Sequence, residues 1–169
     1  MTKAKQDIRM TLPEDIYSQR ILELAAAIPR TARLAAPHAS ATAHSKLCGS
    51  TVTIDLAMEG DVVTEYGQSV KACLLGQSSA SVMGREIIGS TAAELRAVGA
   101  AMRKMLKQGG PPPDGKWGDL AVLEPVRDYK ARHPSTLLVF DAVEDAIAKI
   151  EAGRAASKGK THADQREPA

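Results

Sequence analysis

Between Ser50 and Cys73 the chain changes polarity with period two, and this constrains its fold more than any other feature. Val52, Ile54, Leu56 and Met58 fall on one face of an extended backbone, and Thr51, Thr53 and Asp55 fall on the other, as in a half-buried strand. Glu59-Gly60-Asp61 supplies turn residues and VVTEYGQSVKAC runs back as a second extended segment. The pattern predicts an antiparallel hairpin.

Helical periodicity surrounds the hairpin. Pro13-Glu14-Asp15 predicts a helix start, with Ile16, Ile21, Leu22 and Leu24 on one side and Pro29 ending it. ARLAAPHASATAHSK then reads as irregular or extended. After Cys73, LLGQSSASVMGREIIG reads as a helix ending at Gly89, and Thr91-Ala92-Ala93-Glu94 has capping-box spacing before LRAVGAAMRKMLK. KQGGPPPDGKWGD is a loop by composition. A short helix is expected around Leu120 to Tyr129, and an amphipathic one over Ser135 to Ala152, with Leu137, Leu138, Phe140, Val143, Ile147 and Ile150 inward. Residues 1–12 read as a flexible leader, 13–152 as a single domain, and 153–169, which lack apolar anchors, as a disordered tail.

A chain of 169 residues, 44% hydrophobic and 25% charged, suffices for one core of ordinary size. The net charge of +2 is dispersed, and the aromatics are only Phe140, Trp117 and three tyrosines, which argues against a nucleic-acid partner. With no apolar leader and no bilayer-length stretch, the expectation is a soluble, cytoplasmic protein without a membrane partner. No phosphate-cradling glycine motif occurs, and nothing places a base beside a nucleophile. The sequence therefore does not read as an enzyme.

The chain has two cysteines, as suits a reducing compartment. Cys48 precedes the first predicted strand and Cys73 ends the second, so the hairpin brings both to one end of a small sheet. Cys73 also starts a helix, where unpaired N–H groups and the macrodipole favour an anion. Two readings stay open: metal or sulfur ligands, or small buried hydrophobes.

The stretch LCGSTVTIDLAMEGDVVTEYGQSVKACLLGQSSASVM resembles the iron–sulfur scaffold family of IscU, SufU and the N-terminal domain of NifU. In that family Cys-Gly-Asp begins a strand, an acidic turn follows, and a second cysteine opens a Ser- and Ala-rich helix. ARHPSTLLVFDAVEDAI resembles the segment carrying the family's third cysteine, IYSQRILELAAAIPR its opening helix, and the proline-rich insertion the SufU-like branch. The resemblance, over Pro13 to Glu151, implies an α+β fold: a three-stranded antiparallel sheet, its third strand near Arg33 to Pro37, with helices on one face. It also implies a site where Cys48, Cys73 and Ser135 converge, with Arg132 offsetting thiolate charge. Two positions depart from the family, whose aspartate is Ser50 here and whose third cysteine is Ser135.

A [2Fe–2S] cluster takes four thiolates, and a neutral hydroxyl substitutes poorly. Three completions are open: histidines, a second subunit sharing the cluster in a homodimer, or a ligand from a partner. His133 is the better histidine if Arg132 to Ser135 is extended, since i and i+2 then share a face and Pro134 favours that geometry. His44 is weaker. Ser135 can alternatively act as a helix N-cap. The expected function is a scaffold that binds iron or a transient cluster through thiolates and transfers it, alongside a cysteine desulfurase, an iron donor and cluster acceptors. The alternatives are a zinc-binding or metal-free sulfur acceptor or regulator of the desulfurase, and a degenerate scaffold kept for protein contacts.

Overall fold

The computed structural model describes residues 17–164. The leader and the Pro13-Glu14-Asp15 start lie outside the described residues. Helix α1 (Gln19–Ala26) begins behind Ser18, whose hydroxyl accepts from Ile21 N at 3.3 Å. It buries Ile21, Leu24 and Ala25.

The sheet has three strands, β1 (Ala39–His44), β2 (Thr51–Glu59) and β3 (Val62–Lys71), antiparallel in the order β1-β2-β3. The hairpin stands where the alternation puts it, with Gly60 at φ 60° in its turn. The third strand lies past Arg33 to Pro37. Pro37 has no N–H for a ladder, so pairing begins with His38 N on the Leu56 carbonyl and runs from Ala39 opposite Leu56 to His44 opposite Thr51.

Val52, Ile54, Leu56 and Met58 are buried in one apolar core with side chains of α2 (Leu74–Glu86), α3 (Ala92–Gln108) and α4 (His133–Asp164). Gln68 is a polar exception on β3. Its amide accepts from the Tyr66 hydroxyl and donates to the carbonyls of Pro29 and Ala80, each at 3.0 Å, so nothing is left unpaired.

Asp55 lies with the polar face of β2 in the sequence pattern, yet it is fully buried. The segment after α1 crosses that face: Arg33 Nε and Nη2 donate to the carboxylate at 2.6 and 2.9 Å, Leu34 N at 3.0 Å and the Ser40 hydroxyl at 2.5 Å. Gly67, opposite Asp55, makes the crossing possible, since a Cβ there would run into the Ala32 carbonyl oxygen.

Thr91 caps α3, accepting from Glu94 N at 3.1 Å. The Glu94 carboxylate turns to Trp117 Nε1 at 3.2 Å and Lys116 Nζ at 3.2 Å. In place of a short helix around Leu120 to Tyr129, the chain forms a 3-10 helix over Gly115–Asp128. Trp117, Leu120, Leu123 and Val126 are its buried residues, three apart, which matches three residues per turn.

Helix α4 starts two residues before Ser135 and runs on to Asp164, through part of the stretch expected to be disordered. Ala152, Arg154, Ala155 and Ala156 favour helix, and the Arg154 guanidinium ties this extension to the carbonyls of Met58 and Gly60. Among the described residues, no helix is long and apolar enough to cross a membrane.

Candidate functional site

Thr51 pairs with Lys71 in the β2–β3 ladder, so Cys48 and Cys73 leave the sheet at one end. Residues 45–50 close a small loop, with Ser45 N donating to the Ser50 carbonyl at 2.8 Å and Gly49 N to the Ser45 carbonyl at 2.9 Å. Gly49 sits at φ 70°, a conformation that costs glycine little. The loop exposes Cys48 and sets its sulfur 3.0 Å from Ser50 Oγ and 3.4 Å from Ser45 Oγ, both serines being buried. The Ser45 hydroxyl foremost, then that of Ser50, and the charge of Arg132 hold the Cys48 thiol below its ordinary value, against an opposing effect of burial.

Cys73 is the N-cap of α2, but its side chain turns from its own helix and donates to Ser135 Oγ at 3.3 Å. Ser135 is the third residue of α4 rather than its N-cap, and its hydroxyl donates to the Arg132 carbonyl at 3.1 Å. Gly76 permits the approach of the two helices. A Cβ there would lie 2.9 Å from the Ser135 carbonyl oxygen and 2.8 Å from Ala72 Cβ. Arg132 thus joins the halves of the site, its carbonyl serving the Ser135 hydroxyl and its charge acting on Cys48.

No family model matches the chain. A NifU-like protein (N-terminal) from Brucella abortus, solved by crystallography, is 59% identical, with a TM-score of 0.81 over 82% of this chain and 96% of that one. The chain belongs to the family of IscU, SufU and the NifU N-terminal domain. The iron–sulfur cluster assembly scaffold protein IscU of Thermotoga maritima is 28% identical over 61% of this chain and 72% of its own length. The zinc-dependent sulfurtransferase SufU of Bacillus subtilis is 27% identical over 63% and 72%. A SUF-system protein from Fervidobacterium islandicum, 23% identical with a TM-score of 0.73, covers 80% of this chain and 99% of its own and shares the fold.

Within this NifU-like fold the histidines do not join the thiols. His133 is helical, at φ −57° and ψ −48°, so its side chain and that of Ser135 point roughly 200° apart around the helix. Its buried ring carries Nε2 3.0 Å from the Val126 carbonyl and 3.1 Å from that of Arg127. The extended reading fails because Pro134 lies in a first helical turn, where a missing N–H leaves no bond unmade. His44 is also engaged elsewhere, its Nδ1 2.8 Å from Thr51 Oγ1 on the neighbouring strand. Ser45, which the sequence reading passed over, is in contact with Cys48; its only sequence signal is the three-residue spacing within a turn.

Ser50 and Ser135, which the sequence resemblance sets against the family's aspartate and third cysteine, are two buried hydroxyls. Ser135 Oγ has committed its proton to a backbone carbonyl, so it is not poised as an alkoxide. Among the described residues, no three of His, Cys, Asp and Glu are grouped to hold a metal ion. Two thiols do not by themselves complete a four-coordinate zinc site or the ligand set of a [2Fe–2S] cluster.

Proposed function

We propose that this chain is an iron–sulfur cluster assembly scaffold in which Cys48 and Cys73 hold iron or a transient [2Fe–2S] cluster as cargo and release it to acceptors. It carries cargo rather than turning over a substrate. The observation that carries this reading is the gathering of both cysteines of the sequence at one sheet end, in a chain 59% identical to a NifU-like protein. Thiolates are the ligands that iron–sulfur chemistry requires, and neutral hydroxyls at the flanking positions favour release over retention. Sulfur would come from a cysteine desulfurase and iron from a donor protein. The free thiols suit the reducing cytoplasm.

A second reading, favoured by the match to the zinc-dependent sulfurtransferase SufU and by the thiolate-stabilising surroundings of Cys48, makes the chain a sulfur acceptor. The Cys48 thiolate would attack the outer sulfur of a desulfurase persulfide, forming a new S–S bond as the desulfurase thiolate leaves. Anaerobic reconstitution with iron and sulfide separates the two. Visible charge-transfer bands and bound iron, both lost in Cys48→Ala and in Cys73→Ala, are expected of the scaffold. Colourless protein that changes desulfurase turnover, with or without zinc, would establish the acceptor instead.

A further inference from the structure

We propose that the end of the sheet remote from the cysteines carries a phosphate site, a cleft between the start of β1 and the far part of α4 that takes a phosphoryl group, free or as a monoester. The cleft has a volume of about 380 Å³ and is lined by His38, Lys149, Ile150, Gly153, Arg154 and Ser157. Its place follows from the strand register. His38 N donates to the Leu56 carbonyl, about 17 Å along β2 from Thr51 at the rise of an antiparallel strand. The thiols leave the sheet at the Thr51 end, so the inference does not depend on the scaffold reading.

The sequence of α4 keeps the cleft open. Ile150, Gly153, Arg154 and Ser157 recur at helical spacing on the face that lines it. Glycine inside a helix costs about 1 kcal/mol against alanine, yet a Cβ at Gly153 would meet no atom within 4 Å. Packing does not require glycine there, and the space a side chain would fill belongs to the cleft. The wall is rich in donors. His38 Nδ1 accepts from Met58 N at 3.0 Å, so the neutral ring carries its proton on Nε2. Lys149 Nζ donates to the Ser40 carbonyl at 3.0 Å, and the Arg154 guanidinium to the carbonyls of Met58 and Gly60. These bonds fix two cations without cancelling their charge, and each cation has N–H groups beyond them. Among the described residues no carboxylate lines the cleft. Asp145 stands 3.8 Å from Lys149 Nζ, and Glu151, which also feels the charge of Arg154, has its oxygens on Arg96 at 2.9 and 2.7 Å. A phosphoryl group accepts from several directions at once and carries the charge that two such cations favour. The cleft also holds buried Ile150, an apolar surface for the body of an ester.

The test is titration of the full metal-free chain with inorganic phosphate and with phenyl phosphate at constant ionic strength, read by calorimetry and by the imidazole nitrogen signals of His38 in NMR. Expected is a single saturable site per chain with a His38 Nε2 shift that saturates alongside it, in wild type and equally in the chain carrying both Cys48→Ala and Cys73→Ala. Lys149→Gln should weaken binding about tenfold, as loss of one hydrogen bond to a charged group does. Gly153→Glu sets a carboxylate in the cleft and should abolish binding while circular dichroism keeps the wild-type helical signal. Tighter binding of phenyl phosphate than of phosphate would assign an esterified ligand, and the reverse order the free ion. Heats and His38 shifts that never saturate, or saturable binding that both Lys149→Gln and Gly153→Glu leave unchanged, would overturn the site.

Discussion

Cys48 and Cys73 are held by serines in different ways. Cys48 sits in a loop where its thiol donates to Ser45 Oγ and shares a hydrogen bond with Ser50 Oγ, whereas the hydroxyl facing Cys73 has its own hydrogen on a carbonyl. Because hydrogen bonds to the charged form lower a pKa, the Cys48 thiolate is populated at lower pH than an ordinary thiol. In metal-free Cys73→Ala protein, the rate of alkylation at Cys48 should rise with pH around a midpoint below the ordinary value of about 8.5. Ser45→Ala should move that midpoint upward, Ser50→Ala less so, following the order of their effects. Midpoints that coincide in all three proteins would show that the loop does not tune the thiol. That both cysteines leave the sheet at one end is legible in the sequence, since the hairpin alone places them there. The Ser45 contact is not, because it depends on loop closure, and His133 misleads because Pro134 is equally at home in extended chain and in a first helical turn.

At the scale of elements, one close approach builds the framework of the site and another fastens a strap across the sheet. Gly76→Ala would ordinarily stabilise a helix by up to about 1 kcal/mol. Here the added methyl meets the Ser135 carbonyl and Ala72, and overpacking should turn the gain into a loss of about 1–3 kcal/mol in urea unfolding. On the other face of the sheet, Asp55 anchors the segment after α1. Arg33 first, with Ser40 and Leu34 N, holds its carboxyl below the usual range against the effect of burial. Its folded value being depressed, the stabilisation is fully present above the unfolded value of about 3.9 and disappears as pH falls through the lower folded value. Asp55→Asn should cost about 2 kcal/mol at neutral pH, on the order of one hydrogen bond to a charged group. Arg33 is 55% exposed, so solvent screens its part. The difference from wild type should vanish in strong acid, and a constant difference across pH would refute the assignment. The hairpin and the core face of α4 were legible because their periods are local, whereas on α1 Leu22, grouped in the sequence with Ile21 and Leu24, is 41% exposed and only the other two turn inward. The strap over Asp55 was not, as it joins residues far apart in sequence, and the 3-10 helix is betrayed only by the three-residue spacing of Trp117, Leu120, Leu123 and Val126.

At the scale of the molecule, the site exists only in the folded chain. Cys48, Cys73 and Ser135 come from the loop before β2, the cap of α2 and the first turn of α4, and packing of α2 on α4 brings the last two into contact. Cargo that requires this arrangement binds the native state and stabilises it by mass action. At a free cargo concentration one hundred times its Kd, the stabilisation is about 2.7 kcal/mol. Anaerobic urea titrations should accordingly show a midpoint that rises when wild type is loaded with iron and sulfide and stays constant in Cys48→Ala and in Cys73→Ala. Removing the cargo with a chelator should return the loaded midpoint to the metal-free one. A wild-type midpoint that ignores iron and sulfide would mean that the sheet end does not hold this cargo, and the exposed Cys48 thiol would then act as a sulfur acceptor instead.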